Sequence, residues 1–99
     1  MISINDAKKV GIQRSLFKIS RIEAVDKLIV TTASGRTFDG DEVSQGRMAR
    51  TILGLQAQPA GATVRWVLAD NSVADVDVSE LQEALALAAL RQAELWAPV

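Results

Sequence analysis

The stretch TVRWVLADNSVADVDVSELQ, residues 63–82, contains the pattern that decides the fold. Apolar residues alternate with a second, more polar set on both sides of the polar triplet Asp70-Asn71-Ser72. The first set consists of Val64, Trp66, Leu68, Ala74, Val76 and Val78. A period of two on either side of a polar turn predicts a β-hairpin with one buried face.

The length of the hairpin loop decides its register. A two-residue loop would set Trp66 opposite Asp75 and would place carboxylates on the apolar face. An odd loop, of three residues over the polar triplet or of five, sets Trp66 opposite Val76 and brings Arg65 opposite Asp77 on the solvent face. Because register follows the buried pattern, we predict the odd loop. A three-residue loop usually ends on a left-handed residue, and serine suits that position only moderately.

A long helix is predicted directly after the hairpin. Ser79 followed by Gln82 matches a capping box, and Pro98 ends the helix. The main apolar face is predicted to contain Leu81, Leu85, Ala88, Leu95 and Trp96.

The same helix carries a second apolar surface. Residues 84–90 are apolar on all sides, which implies burial on more than one side. Either the strands and the first helix surround this part, or Leu87 and Leu90 contact another chain. In so small a domain we favour the second alternative. The candidate partner interface is therefore Leu87, Leu90 and Arg91.

The residues before the hairpin predict the remaining elements. Helical spacing of Ile12, Leu16 and Ile19 indicates a helix from Asn5 to about Glu23. Residues 27–32 are rich in β-branched side chains and predict a strand, which turns at 33–35 towards a short partner strand at 36–38. A further helix follows and ends near residue 56. We predict a single α+β domain over 1–99, comprising an N-terminal helical segment (1–26) and a core (27–97). Its order is helix, strand pair, helix, β-hairpin, helix, with an antiparallel sheet packed on the helices.

The stretch FDGDEVSQGRMAR, residues 38–50, is the part of the chain that most resembles a chemical site. Read as a calcium loop from Asp39, it lacks the required glycine and the final glutamate, and it places arginines at ligand positions. As a helix start it fits better, with Asp39 as N-cap, Glu42 three residues later, and Phe38 packing on Val43. Replacing Asp39 with alanine is then expected to cost about 1 kcal/mol.

Composition restricts the chemistry further. The 99 residues include no cysteine and no histidine, which excludes disulfides, thiolate chemistry, the usual zinc sites and a Ser-His relay. No spacing typical of an enzyme appears, so we predict a protein that is not an enzyme and has no catalytic, cofactor-binding or metal residues. No apolar run reaches the ~18 residues of a membrane span, which predicts a soluble protein without a membrane partner.

Charge is distributed unevenly along the chain. Residues 1–36 carry seven Lys/Arg and three Asp/Glu (7 − 3 = +4), whereas residues 37–99 carry four and nine (4 − 9 = −5). Arg14, Lys18 and Arg21 form a basic stripe on the first helix, which is a candidate basic surface for nucleic acid. The acidic isoelectric point of about 5.3 and the lack of interleaved aromatics disfavour nucleic acid as a partner.

Three stretches in order resemble the family called domain of unknown function 4376, over about residues 28–96. They are TTASG (31–35) leading to FDGDE (38–42) and SQxRM (44–48), then WxLADN (66–71), then ELQEAL (80–85), where x is any residue. The resemblance implies a setting in phage or prophage proteins associated with tails or tail fibres, and no catalytic residues to transfer.

From the resemblance we expect a non-enzymatic tail-associated or tail-assembly protein that acts through protein contacts. Its expected partners are other phage tail or assembly proteins, or further copies of itself as a homo-oligomer. Its expected location is the cytoplasm of the bacterial host, with incorporation into the virion. The alternative is a small nucleic-acid-binding or regulatory protein that uses the basic first helix.

Overall fold

A computed structural model describes residues 19–97. Helix α1 comprises the described helical residues 19–26, and the strand pair β1 (Ile29–Thr31) and β2 (Thr37–Asp39) follows. Helix α2 (Glu42–Gln56), strands β3 (Thr63–Val67) and β4 (Val73–Asp77), and helix α3 (Val78–Trp96) complete the order. The predicted α+β class is confirmed, and within the described residues the elements follow the predicted order. No helix in this range is long and apolar enough to cross a membrane.

Each strand pair forms its own two-stranded antiparallel sheet. The backbone N–H of Ala69, beside the tip of the β3–β4 hairpin, donates to the carbonyl of Thr37 in β2 at 2.9 Å. Thr32, just after β1, is buried although it is polar, with 4% of its surface exposed. The two hairpins therefore meet near the turn that joins β1 to β2.

The predicted register of the β3–β4 hairpin is wrong by two residues. Trp66 lies opposite Ala74 rather than Val76, and Arg65 lies opposite Asp75 rather than Asp77. The shift is even, so every side chain stays on its predicted face, because sides alternate with a period of two.

The conformation of Asn71 explains this shift. The N–H of Leu68 donates to the carbonyl of Ser72 at 2.8 Å, which closes a three-residue loop one position earlier than predicted. Asn71 then occupies the last loop position with φ of 68°. Asparagine adopts the left-handed conformation more readily than serine does, so the loop forms where the asparagine can end it.

The core lies between α2, α3 and one face of each hairpin. Met48, Ile52 and Leu55 recur at helical spacing and form the buried face of α2. They belong to one cluster with buried residues of the strands and of α3, namely Phe38, Leu68, Val76, Leu81, Ala84 and Ala88. Half-buried side chains border this cluster, including Val64, Trp66, Leu85 and Leu95.

Helix α1 departs from its predicted packing. The prediction placed Ile19 on a buried stripe, but 52% of its surface is exposed, whereas Val25 is only 3% exposed. Ile12 and Leu16, the other members of that stripe, lie outside the described residues. Arg21 stacks on the ring of Trp96, 4.7 Å from its centroid, and donates to the Trp96 carbonyl at 3.3 Å. Cation–π stacking therefore joins α1 to the end of α3.

The N-cap of α2 is Asp41, so the predicted cap at Asp39 is wrong. Asp41 accepts a hydrogen bond from the Ser44 N–H at 3.3 Å and another from the Ser44 hydroxyl. Asp39 is exposed and belongs to β2, whose ladder continues as far as the Gly40 N–H, which donates to the Leu28 carbonyl at 2.8 Å. Since the strand lasts one residue longer than predicted, the helix begins later.

Two further predictions are wrong: the hydrophobic staple between Phe38 and Val43, and the N-cap of α3 at Ser79. Val43 is 62% exposed while Phe38 is fully buried, so Val43 contributes to the solvent face of α2. Helix α3 is capped by Asp77 rather than Ser79, because the Glu80 N–H donates to the Asp77 carboxylate at 2.9 Å. An N-cap residue has extended backbone, which lets the last residue of β4 also be the cap.

Candidate functional site

The candidate partner residues lie on the exposed side of α3, next to β1. Leu90 is 66% exposed and Leu87 is 37% exposed. Ile29 of β1 is 56% exposed and lies beside them. Together they border a groove of about 350 Å³, which we call the β1–α3 groove; it is lined by Ile29, Val30, Thr31, Leu87, Leu90, Arg91 and Glu94. Large apolar side chains grouped at one surface are typical of interaction sites.

Arg91 lies on the rim of this groove rather than at its centre. Its guanidinium forms a 2.6 Å ion pair with Glu94, one turn further along α3. Both side chains are more than half exposed, so the pair contributes at most about 0.5 kcal/mol to stability. An apolar centre with a charged rim is the usual composition of a protein–protein interface.

Ile29 was not among the residues predicted for this site. The signal for it was present in the run at 27–32, where alternate side chains must point to opposite faces of a strand. Leu28, Val30 and Thr32 are buried, so Ile29 and Thr31 point outward. What the sequence did not indicate is that α3 passes beside this strand.

The backbone of β1 also offers hydrogen-bonding groups at the groove. The Leu28 carbonyl accepts from Gly40, and the Thr32 N–H donates to Arg36, so the even-numbered residues bond to β2. In an antiparallel ladder every second residue bonds to the same neighbour, so the N–H and C=O groups of Ile29 and Thr31 point away from β2. Within residues 19–97, β2 is the strand that pairs with β1, and the opposite edge of β1 carries no strand.

A polar cluster joins the β1–β2 turn to the first turn of α3. The Glu80 carboxylate accepts hydrogen bonds from Ser34 at 2.6 Å, from Arg36 at 2.6 Å and from Thr32 at 3.2 Å. Burial by itself would raise the pKa of Glu80, but the hydrogen bonds from Ser34 and Arg36 and the positive charge of Arg36 together lower it. Glu83 adds a 2.8 Å hydrogen bond from the Ala33 N–H. This cluster fixes the position of β1 relative to α3.

A second polar cluster connects the start of α2 with the C-terminal half of α3. Gln45 donates to the Gly40 carbonyl at 2.8 Å and to the Gln92 side-chain oxygen at 2.7 Å. Gln92 in turn donates to Glu42 at 2.6 Å. The three acidic residues of the stretch at 38–50 therefore have separate roles. Asp39 belongs to β2, Asp41 is the N-cap of α2, and Glu42 takes part in the contact between α2 and α3. No group of carboxylates in the described range is arranged to hold a metal ion.

The candidate basic surface is only partly described. Arg14 and Lys18 lie outside residues 19–97. Arg21 is half-buried and packs on Trp96, so its guanidinium takes part in the contact between α1 and α3.

Some of the stretches that carry the family resemblance take part in these polar clusters. The turn at 31–36 meets the start of α3 at 80–83, and Gln45 meets Gln92. These residues therefore join the β1–β2 turn and the start of α2 to α3.

Comparison with family models gives a match to a domain of unknown function (DUF4376) over residues 16–96. The match begins ahead of residue 28, where the sequence resemblance started, and so includes α1. Neither the curated proteins nor the solved structures gave a match. Because the match covers most of the 99 residues, the chain belongs to the DUF4376 family.

Proposed function

We propose that this protein is a non-enzymatic component of a phage or prophage tail, or of its assembly, and that it acts through protein contacts at the β1–α3 groove. The observation that carries the proposal is the grouping of Ile29, Leu87 and Leu90 at one exposed surface. The tail setting is what the resemblance to the family implies.

The energetics of the groove favour a protein partner. Fully burying one leucine or isoleucine side chain contributes about 1.5–3 kcal/mol relative to leaving it exposed. Three such side chains around one groove provide enough apolar surface for a small contact, and the Arg91–Glu94 pair lies at the rim, where interfaces are usually polar.

The rigid support of the groove adds to this argument. One wall is β1 and the other is α3, and the cluster around Glu80 joins the two. Binding to a preformed surface costs less conformational entropy than binding to a mobile one. The polar clusters therefore support function by holding the walls of the groove in place.

The proposal is tested by restoring variants of this chain to a phage or prophage that encodes it. Leu90→Lys places a charge at the centre of the groove, and Leu53→Lys is the matched control. Leu53 is 69% exposed on α2, close to the 66% of Leu90. We expect the unaltered chain and the Leu53→Lys chain to sediment with tails or tail-assembly intermediates, and the Leu90→Lys chain to lose that association.

Two outcomes would contradict the proposal. One is that the unaltered chain never accompanies tails or their assembly intermediates. The other is that Leu90→Lys and Leu53→Lys behave alike in both association and phage yield. Circular dichroism and thermal unfolding of the purified variants show whether either change has disturbed the fold.

A further inference from the structure

We propose that the β1–α3 groove binds a second copy of this chain, through antiparallel pairing of β1 with β1 of that copy around a two-fold axis at Val30. The inference rests on the proposed function, since it names the occupant of the same groove. The dimer then contains a four-stranded sheet in the order β2–β1–β1–β2. It forms by strand addition at an open sheet edge.

The hydrogen bonds of this edge are self-complementary. Ile29 and Thr31 each direct an N–H and a C=O away from β2. When two copies of β1 run antiparallel around Val30, Ile29 of one copy lies opposite Thr31 of the other. Each of these two pairs exchanges both of its hydrogen bonds, so four new bonds satisfy all the outward groups.

The outward N–H groups on either side of Ile29 and Thr31 are already hydrogen-bonded, so this edge suits a short strand better than a long peptide. Beyond Thr31, the next outward N–H belongs to Ala33 and already donates to Glu83 at 2.8 Å. Before Ile29, the Lys27 N–H already donates to the Glu23 carbonyl at 3.2 Å. The available window therefore matches the three residues of β1 itself.

Charge complementarity supports the same register. With Ile29 opposite Thr31, the residue opposite Lys27 is Ala33 of the second copy. Ala33 has the Glu83 carboxylate bound to its N–H, so the exposed Lys27 ammonium comes close to a carboxylate of the second copy. The symmetry repeats this contact, and two Lys27–Glu83 pairs border the interface, one at each end. Opposite charges at the rim fix register and partner choice.

The apolar residues complete the interface. Val30, through which the axis passes, lines the groove together with Leu87 and Leu90. The two α3 helices are brought side by side beneath the joined sheet, with their leucines facing across the axis. A two-fold arrangement of this kind uses the same surface of both subunits, as most homodimers do.

Sedimentation equilibrium of Thr31→Pro against the unaltered chain is the first test. Proline removes the outward N–H of Thr31 and leaves the bonds from the even-numbered residues to β2 in place. Thr63→Pro is the matched control, because Thr63 is also an exposed threonine and its backbone N–H also points away from its partner strand, β4. We expect a dimer for the unaltered chain and for Thr63→Pro, and a dimer dissociation constant about a hundredfold higher for Thr31→Pro, equal to about 2.7 kcal/mol.

Charge reversal is the second test. Lys27→Glu and Glu83→Lys each place like charges at both ends of the interface, and we expect each change to raise the dissociation constant about tenfold. A mixture of the two variants regains opposite charges at both ends. We therefore expect a heterodimer as tight as the original dimer, a result that loss of folding cannot produce.

The inference is overturned if the unaltered chain is a monomer at high concentration, if Thr31→Pro and Thr63→Pro dimerise equally, or if mixing fails to restore association. These outcomes are separate from failure of the proposed function. A monomer that still loses tail association on Leu90→Lys contradicts only the second copy as occupant. A dimer that never accompanies tails contradicts only the tail role.

Discussion

The guanidinium of Arg36 lies 2.6 Å from the carboxylate of Glu80, and this ion pair fastens the β1–β2 turn to the first turn of α3. The Glu80 side chain is only 12% exposed, and the same carboxylate accepts a hydrogen bond from Ser34. A carboxylate with this many donors holds the turn in one orientation, because several hydrogen bonds must break before the turn can move.

Removing this carboxylate is expected to destabilise the fold. Glu80→Ala leaves Arg36 and Ser34 without their acceptor, so the free energy of unfolding should fall by about 2 kcal/mol. The matched control is Glu94→Ala, which breaks an ion pair of the same 2.6 Å length on the exposed surface. That change should cost less than about 0.5 kcal/mol. Urea unfolding measures both, and equal losses would mean that the Glu80 contacts contribute nothing particular to the fold.

Glu80 should also make stability depend on pH. Because the pKa of Glu80 is lowered in the folded state, its contribution is fully present above its ordinary value of 4.5. The contribution is lost as the pH falls through the lowered pKa. The stability difference between the unaltered chain and Glu80→Gln should therefore shrink from pH 6 towards pH 3. Hydrogen bonds from Ser72 also lower the pKa of Asp70, but both chains share that contribution and it cancels. A difference independent of pH would contradict the assignment.

The N-cap of α2 provides a prediction with an internal control. Asp41→Ala removes the acceptor of the Ser44 N–H and should cost about 1 kcal/mol. Asp39→Ala alters an exposed strand residue two positions earlier and should change stability by less than about 0.5 kcal/mol. Thermal unfolding of the two variants distinguishes the observed cap from the one predicted from sequence, and a larger loss for Asp39→Ala would restore the sequence-based assignment.

Asn71 should tolerate glycine and reject a β-branched residue. Its φ of 68° lies in the left-handed region, where glycine has no steric penalty. Asn71→Gly should leave stability nearly unchanged, whereas Asn71→Val should cost about 1–3 kcal/mol. If valine is accepted without loss in a chemical unfolding experiment, the loop does not end at this residue.

For α2 and the β3–β4 hairpin, sequence patterns indicated which side chains face the core but not where each element ends. The faces of α2 and of the β3–β4 hairpin follow from periodicity, which continues over many residues and tolerates a local error. The cap at Asp41 depended on whether β2 stopped at Phe38 or Asp39, a choice between residues of similar local preference. The backbone bond from Gly40 to Leu28 decides it, and that bond depends on pairing with another strand rather than on the local preference of these residues.

For a similar reason, the sequence predicted only part of the candidate site. Leu87 and Leu90 stand out because they lie opposite the main apolar face of one helix, a property of local sequence. Ile29 is close to them only because the β1–β2 turn is bound to Glu80 and Glu83, 46 to 50 residues further along the chain. Alternation along one strand indicates an outward side chain, but it carries no information about which helix lies beside that strand.

Gly40 and Gly54 should respond to alanine with opposite signs. A Cβ at Gly40 would lie 3.1 Å from the Leu28 side chain and 3.2 Å from the Ala88 Cβ, so the link between β2 and α2 would be pushed away from α3. Gly40→Ala should therefore lower the free energy of unfolding by about 1–3 kcal/mol. A Cβ at Gly54, inside α2, meets nothing within 4 Å, so Gly54→Ala should raise it by about 1 kcal/mol through helix propensity alone. Urea unfolding compares the two variants, and a stabilising Gly40→Ala would show that α3 does not approach this link as closely as described.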